Sequence, residues 1–173
     1  MKASESVSEF GGLDHVGLNV PDLEQAVNFF TEAFGATTVF RLGPISDLEG
    51  GSMERLGAPR EAAFELVMLQ LGTGRLELLR WWSPNQADRT PQSSDIGACH
   101  VAVQVSDVAS TLESLRAREG VHVLGGPVTF DTGATPGLTN AFVTTPWGAL
   151  IELVNWGQKP DAPGDPPALL SGS

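Results

Sequence analysis

The sequence is poor in basic residues and nearly devoid of cysteine. Of 173 residues only 10 are Lys or Arg, against 21 Asp or Glu, for a formal charge of −11. Neutralising a phosphate backbone takes clustered cations, and no such cluster occurs, so nucleic acid is excluded as a partner. An anionic membrane surface is disfavoured on the same ground. No apolar run approaches the roughly 18 residues of a membrane span, and residues 1–9 lack the apolar core of a signal peptide, so the expected compartment is cytoplasmic. The single cysteine, Cys99, cannot make an internal disulfide, which agrees with a reducing compartment. A chain of this length buries roughly 70% of its unfolded surface and needs neither disulfide nor metal merely to fold. Any bound metal is therefore read as functional first.

Both ends read as tails, residues 1–11 being Ser/Glu/Gly-rich and residues 157–173 Pro/Gly-rich. Between them lies an internal repeat. Asp14-His15-Val16-Gly17-Leu18-Asn19-Val20-Pro21-Asp22-Leu23 matches Cys99-His100-Val101-Ala102-Val103-Gln104-Val105-Ser106-Asp107-Val108 at an offset of 100 − 15 = 85. Leu76-Glu77-Leu78-Leu79-Arg80-Trp81 matches Ile151-Glu152-Leu153-Val154-Asn155-Trp156 at 152 − 77 = 75. The shift implies about ten extra residues in the first copy, expected in the Gly-rich stretch from Gly43 to Arg60. The organisation is then a first module over 12–82, a linker over 83–96 and a second module over 97–156.

Each copy opens with strict alternation, the signature of a strand with one packed face. His15, Gly17 and Asn19 share one face, as do His100, Ala102 and Gln104, with Val16, Leu18, Val20 and Val101, Val103, Val105 opposite. Asp22 and Asp107 are positioned as helix N-caps. Leu23, Ala26, Val27, Phe30 and Phe34, and in the second copy Val108, Thr111, Leu112 and Leu115, follow at helical spacing. Gly35 and Gly120 suit the left-handed residue that ends a helix. About three strands complete each copy, with hairpins at Gly72-Thr73-Gly74 and Pro146-Trp147-Gly148.

Glu77 and Glu152 sit in apolar strands, where a carboxylate is costly unless it meets solvent, an ion or a partner. Alone, such a glutamate marks the wet face of an ordinary sheet, and a lone histidine at a strand start is structural. Two His and two Glu at repeat-equivalent positions are a different observation. Pseudo-twofold packing of the halves can bring His15, Glu77, His100 and Glu152 to one point, a donor set suited to a divalent ion such as Zn, Ni, Co, Mn or Fe. Without thiolate pairs, a closed structural zinc is disfavoured. Cys99 is expected to be a small buried hydrophobe, and His122, outside the repeat, a surface-strand residue.

The stretch from Asp14 through Phe29-Phe30 to Phe34-Gly35, and the closing Pro146-Trp147-Gly148-Ala149-Leu150-Ile151-Glu152-Leu153-Val154, resemble the vicinal oxygen chelate superfamily. That superfamily holds glyoxalase I, methylmalonyl-CoA epimerase, extradiol dioxygenases and antibiotic-resistance proteins. The resemblance implies an α+β fold, with two βαβββ modules forming a cup-shaped mixed sheet, and carries the metal positions onto His15, Glu77, His100 and Glu152. The full His/Glu/His/Glu set is similar to the glyoxalase and epimerase branches. The Trp-Gly turn and Ile-Glu-Leu-Val strand are similar to a subgroup with epimerases of sugar-derived cyclitols, the 2-epi-5-epi-valiolone type among them. Related proteins form homodimers, some with the site across the interface.

The activity so implied is divalent-metal-dependent isomerisation or epimerisation, or lyase chemistry, of a small α-hydroxycarbonyl or cyclitol-like substrate through a metal-stabilised enediolate. Glu152 is the expected base and Glu77 the second acid or base on the opposite face. Asn19 and Gln104, on the histidine faces, and Trp81, Trp156 and Arg75, on the glutamate faces, are candidate substrate contacts. The tryptophans equally suit the ends of the core, and Arg75 equally suits a pair with Glu77. Scattered basic residues give no support to glutathione or coenzyme A as ligand. Two other readings stand beside this one. An Fe(II)-dependent dioxygenase would consume O₂; a drug-sequestering binding protein would need no metal donors.

Overall fold

The computed structural model describes residues 11–46, 51–87 and 89–157. The expected tails fall outside these residues except for Gly11 and Gly157. The chain divides into two compact units, Met1–Asp88 and Arg89–Ser173.

Unit 1 contains β1 (Val16–Asn19), α1 (Leu23–Phe34), β2 (Thr37–Ser46), the single turn α2 (Ser52–Arg55), β3 (Ala63–Leu71) and β4 (Gly74–Trp82). Its sheet order is β1-β4-β3-β2, with β1 parallel to β4 and the other pairs antiparallel. Unit 2 contains β5 (His100–Gln104), α3 (Val108–Arg116), β6 (His122–Val123), β7 (Val128–Thr129), β8 (Thr139–Thr144) and β9 (Leu150–Asn155). The order β5-β9-β8-β6 repeats the first sheet, with β5 parallel to β9, and β7 also pairs with β8. The fold is thus α+β with two mixed sheets.

Local chemistry sets the helix ends. The Asp22 and Asp107 carboxylates accept the amides of Gln25 and Ser110, both at 2.9 Å, satisfying donors that the first turn leaves without partners. Leu23, Ala26, Val27 and Phe30 form the buried stripe of α1, and Val108, Leu112 and Leu115 that of α3. Gly35 closes α1 in the left-handed region, and the amides of Gly35 and Ala36 return to the carbonyls of Thr31 and Phe30. Gly120 departs from expectation. It is left-handed at φ 75°, but α3 has already ended at Arg116, with Ala117 as its right-handed cap. Tight turns, Arg118 to Leu115 and Val121 to Arg118, intervene. Glycine is required at 120 because a Cβ there would lie 2.9 Å from that of Pro146.

The registers locate the length difference between the copies. Thr38 pairs with Leu69 and Val123 with Val143, so the first strands are offset by 123 − 38 = 85 and their partners by 143 − 69 = 74. Unit 1 therefore carries 85 − 74 = 11 extra residues between β2 and β3. The final strands are offset by 75 because the second hairpin is one residue longer. Thr145 bonds back to Ala149 around three residues, whereas Leu71 pairs with Gly74 around two. His122 is exposed, as expected, and the repeat reaches it: it opens β6 where Thr37 opens β2. The counterpart of β2 is split by Gly125-Gly126-Pro127, so unit 2 has four short strands after its helix rather than three. Val16, expected to pack with Leu18 and Val20, is 41% exposed at the end of its strand.

Candidate functional site

Register fixes which side chains meet. Parallel pairing sets Gly17 beside Glu77, and Ala102 beside Glu152. In each unit a small residue lies between the histidine one step back along the first strand and the glutamate across from it. A Cβ on Gly17 would sit 3.5 Å from Glu77 Oε2 and 3.3 Å from a Leu79 methyl, so little more than glycine fits. His15 Nε2 lies 3.7 Å from Glu77 Oε2, and His100 Nε2 lies 3.3 Å from Glu152 Oε2. The glutamate side chains are 19% and 15% exposed, the histidines 38% and 50%, so each pair has a half-buried carboxylate and an accessible imidazole.

Neither pair is closed by a direct hydrogen bond. Two donors bound at about 2.1 Å to one cation, at angles from about 90° to tetrahedral, lie roughly 3.0–3.4 Å apart. The 3.3 Å pair falls inside that interval and the 3.7 Å pair slightly beyond it. Imidazole and carboxylate are donor types that Zn, Fe, Ni and Co accept, so both pairs fit such an ion in chemistry, and the His100–Glu152 pair fits it in spacing as well. Among the described residues, no group of three or more His, Cys, Asp or Glu side chains is placed to hold a metal. The ligand-type side chains come as one pair per unit.

The two pairs are supported differently. In unit 1 the histidine is anchored: Asp14 Oδ1 lies 2.7 Å from His15 Nδ1, and Arg75 reaches the other Asp14 oxygen at 3.4 Å. The hydrogen bond from His15 holds the Asp14 carboxyl below its ordinary pKa against the opposing effect of desolvation, with a lesser contribution from the Arg75 charge. Such a contact directs Nε2 outward as the free donor. At the position equivalent to Asp14 stands Cys99. It is exposed, not the buried hydrophobe expected, because β5 begins only at His100 and the residue before it has no packed layer to enter. In unit 2 the glutamate is anchored instead, Asn140 Nδ2 donating to Glu152 Oε1 at 2.8 Å. Asn140 pairs with Val154 as Leu66 pairs with Leu79, so its counterpart in unit 1 is an apolar side chain that cannot donate.

The other candidates divide. Trp81 and Asn19 meet: the indole Nε1 donates to Asn19 Oδ1 at 3.1 Å, and the Trp81 ring packs on Phe64 with centroids 4.8 Å apart. Arg75 pairs with Asp14 and not with Glu77. Gln104 closes β5 as an exposed residue on the His100 face, and half-buried Trp156 follows β9. Asp14 and Asn140 are the supporting residues that sequence reading missed. Asp14 abuts a candidate ligand, so a carboxylate partner for His15 is visible in the sequence itself. Asn140 lies 12 positions from Glu152 and becomes visible only with the β8–β9 register.

The fold and these paired residues define a two-repeat βαβββ protein, and comparison with known proteins agrees. Residues 12–153 match the model of the Glyoxalase/Bleomycin resistance protein/Dioxygenase superfamily, and the chain belongs to that family. It is 42% identical over 143 residues to a 2-epi-5-epi-valiolone epimerase of Actinomyces sp., covering 82% of this chain and 77% of that one. It is 27% identical over 154 residues to a probable lactoylglutathione lyase of Vibrio parahaemolyticus, covering 83% and 90%. Among solved structures, a glyoxalase family protein from Bacillus cereus superposes with a TM-score of 0.68 at 22% identity, covering 87% and 97%. At that identity the likeness concerns the fold.

Proposed function

We propose that the protein is a divalent-metal-dependent epimerase or isomerase of a small α-hydroxycarbonyl or cyclitol-like compound. In this reading His15, Glu77, His100 and Glu152 are the metal ligands, and the two glutamates are the proton-transfer groups. The observation that carries it is the matched approach of His Nε2 to Glu Oε2 in both repeats, 3.7 and 3.3 Å, with no hydrogen bond closing either pair. The 42% identity to a 2-epi-5-epi-valiolone epimerase supports the reaction class.

When bound, the ion would supply a Lewis acid toward two neighbouring substrate oxygens, making the adjacent C–H more acidic. The chain does the rest. Glu152, as the base, takes the α-proton from one face of the reacting carbon. Glu77, as the acid, returns a proton to the other face, and the two exchange roles for the reverse reaction. Asn140 orients the Glu152 carboxylate so that one oxygen stays bonded while the other is available. Asp14 holds His15 through Nδ1, which keeps Nε2 toward Glu77.

Metal analysis of the purified protein beside His100→Ala and Glu152→Ala tests the reading. A stoichiometric divalent ion in wild type, depleted in both variants, is expected, together with solvent deuterium entering the α-position of hydroxyketone candidates. Absence of stoichiometric metal from wild type refutes it, and O₂ consumption without deuterium incorporation would transfer the protein to oxygenase chemistry.

A further inference from the structure

One large feature breaks the symmetry of the repeats, and it lies beside the strand of Glu77. Eighteen residues, 46–63, join Ile45 to Phe64, where seven, 131–137, join Phe130 to Leu138. The extra chain carries α2. Its Met53 is fully buried in a cluster with Ala62, Phe64 and Leu66, against which Leu79 and Trp81 pack. Phe64, Leu66, Leu79 and Trp81 share the Glu77 face of the sheet, because Met68 pairs with Glu77 and the alternation runs on from there. The insertion therefore covers that face just beyond the glutamate.

Between the insertion and the segment after β4 lies a shallow cavity of about 330 Å³, largely open to solvent, lined by Asn19, Leu56, Pro59, Trp81, Pro84 and Gln86 among others. That volume is at the small end of ligand pockets. None of the described lining residues carries a charge. An indole N–H can only donate, so its bond to Asn19 Oδ1 orients that amide and leaves the Asn19 nitrogen with no described partner. The lining thus combines an indole and two proline rings, which suit the C–H face of a saturated ring, with amide groups that donate to and accept from hydroxyls. No lining side chain offers a cation to a phosphate or carboxylate, and Arg55 and Arg60, which flank Leu56 and Pro59, are exposed outside the lining, in a chain of charge −11.

We propose that this cavity is a subsite for a neutral, polyhydroxylated ring, a sugar or cyclitol, and that the insertion rejects phosphorylated forms of the same ring. The proposal deepens the function given above and rests on it only for the statement that the ligand also reacts. Occupancy of the cavity needs no metal.

The test uses full-length protein treated with EDTA, titrated with myo-inositol, D-glucose and myo-inositol 1-phosphate and read by saturation-transfer NMR and tryptophan fluorescence. Millimolar binding of at least one neutral ring is expected, with the phosphate at least about tenfold weaker. Asn19→Leu and Trp81→Ala should each weaken the neutral ring by about tenfold. Leu56 is 57% exposed, so Leu56→Arg should fold normally; it should raise affinity for the phosphate relative to myo-inositol. Failure of both neutral rings to bind, equal binding of ring and phosphate, or indifference to both Asn19→Leu and Leu56→Arg overturns the proposal. Because metal is absent throughout, none of these results depends on whether the catalytic reading holds.

Discussion

Asn140→Leu isolates the support of the second glutamate. It transfers to unit 2 the side chain that unit 1 carries at the same register position, Leu66, and keeps side-chain size nearly constant. What is lost is one hydrogen bond of 2.8 Å from a neutral amide to the Glu152 carboxylate, whose side chain is 15% exposed. Hydrogen bonds to charged groups contribute about 1.5–3 kcal/mol, and residual access to water places this one at the lower end, about 1.5 kcal/mol. If the bond holds Glu152 in its ligating pose, that energy appears as a roughly tenfold loss of metal affinity, the low end for partners of metal ligands. Zn²⁺ competition against a chromophoric chelator measures it, with circular dichroism confirming the fold. Affinity within about twofold of wild type would refute the assignment of Asn140 as the residue that positions Glu152.

Asp14→Asn should also weaken Zn²⁺ binding in the same competition, through loss of the charge that fixes His15 and pairs with Arg75, while the thermal midpoint stays close to wild type. Gly120→Ala forces a left-handed backbone on a residue with a Cβ and drives that carbon into Pro146, so urea unfolding should show a loss of at least about 1–2 kcal/mol. Met53→Ala empties the centre of the cluster beneath the insertion and should cost about 2–5 kcal/mol in the same assay; unchanged stability would mean that α2 does not pack as described. Exposed Cys99 should react with a thiol reagent in the folded protein as fast as in urea, whereas a buried thiol would react only on unfolding.

What the sequence made legible is what repeats. Alternation around His15 and His100, the aspartate caps and the glutamate strands each occur twice at constant offset, and both sheets follow the same strand order and nearly the same register. The departures arise where one copy lacks the partner that the other has. Gly120 matches Gly35 in type, offset and left-handed conformation, but it follows the end of α3 by several residues, and the space for a side chain there is taken by Pro146, 26 positions away and without influence on local helical spacing. Cys99 has the composition of a buried residue and the position of a strand-end residue, and position decides. The split of the β2 counterpart into β6 and β7 follows from a Gly-Gly-Pro interruption that removes a donor and two side chains from an edge strand.

The supports fall on opposite members of the two pairs, which under the proposed mechanism bears on how a duplicated site would acquire direction. With identical halves, the two glutamates would meet a substrate equivalently. Here Glu152 has an amide donor and Glu77 has none among the described residues, while His15 has a carboxylate and His100 an exposed thiol in its place. Unit 1 thus fixes its imidazole and leaves its carboxylate freer; unit 2 does the reverse. Proton transfer on two faces of one carbon needs two carboxylates, and a substrate that binds in one orientation needs them to be distinguishable. The insertion adds to the same asymmetry by forming an open, ring-sized cavity at the Trp81 end of the strand that carries Glu77. If the halves are so specialised, Glu77→Gln and Glu152→Gln will differ in kind. In single-turnover exchange with an epimerisable substrate, each variant should retain deuterium wash-in to the epimer whose α-proton faces its remaining carboxylate and lose it for the other. Equal loss for both epimers in both variants would mean that a single base serves both faces.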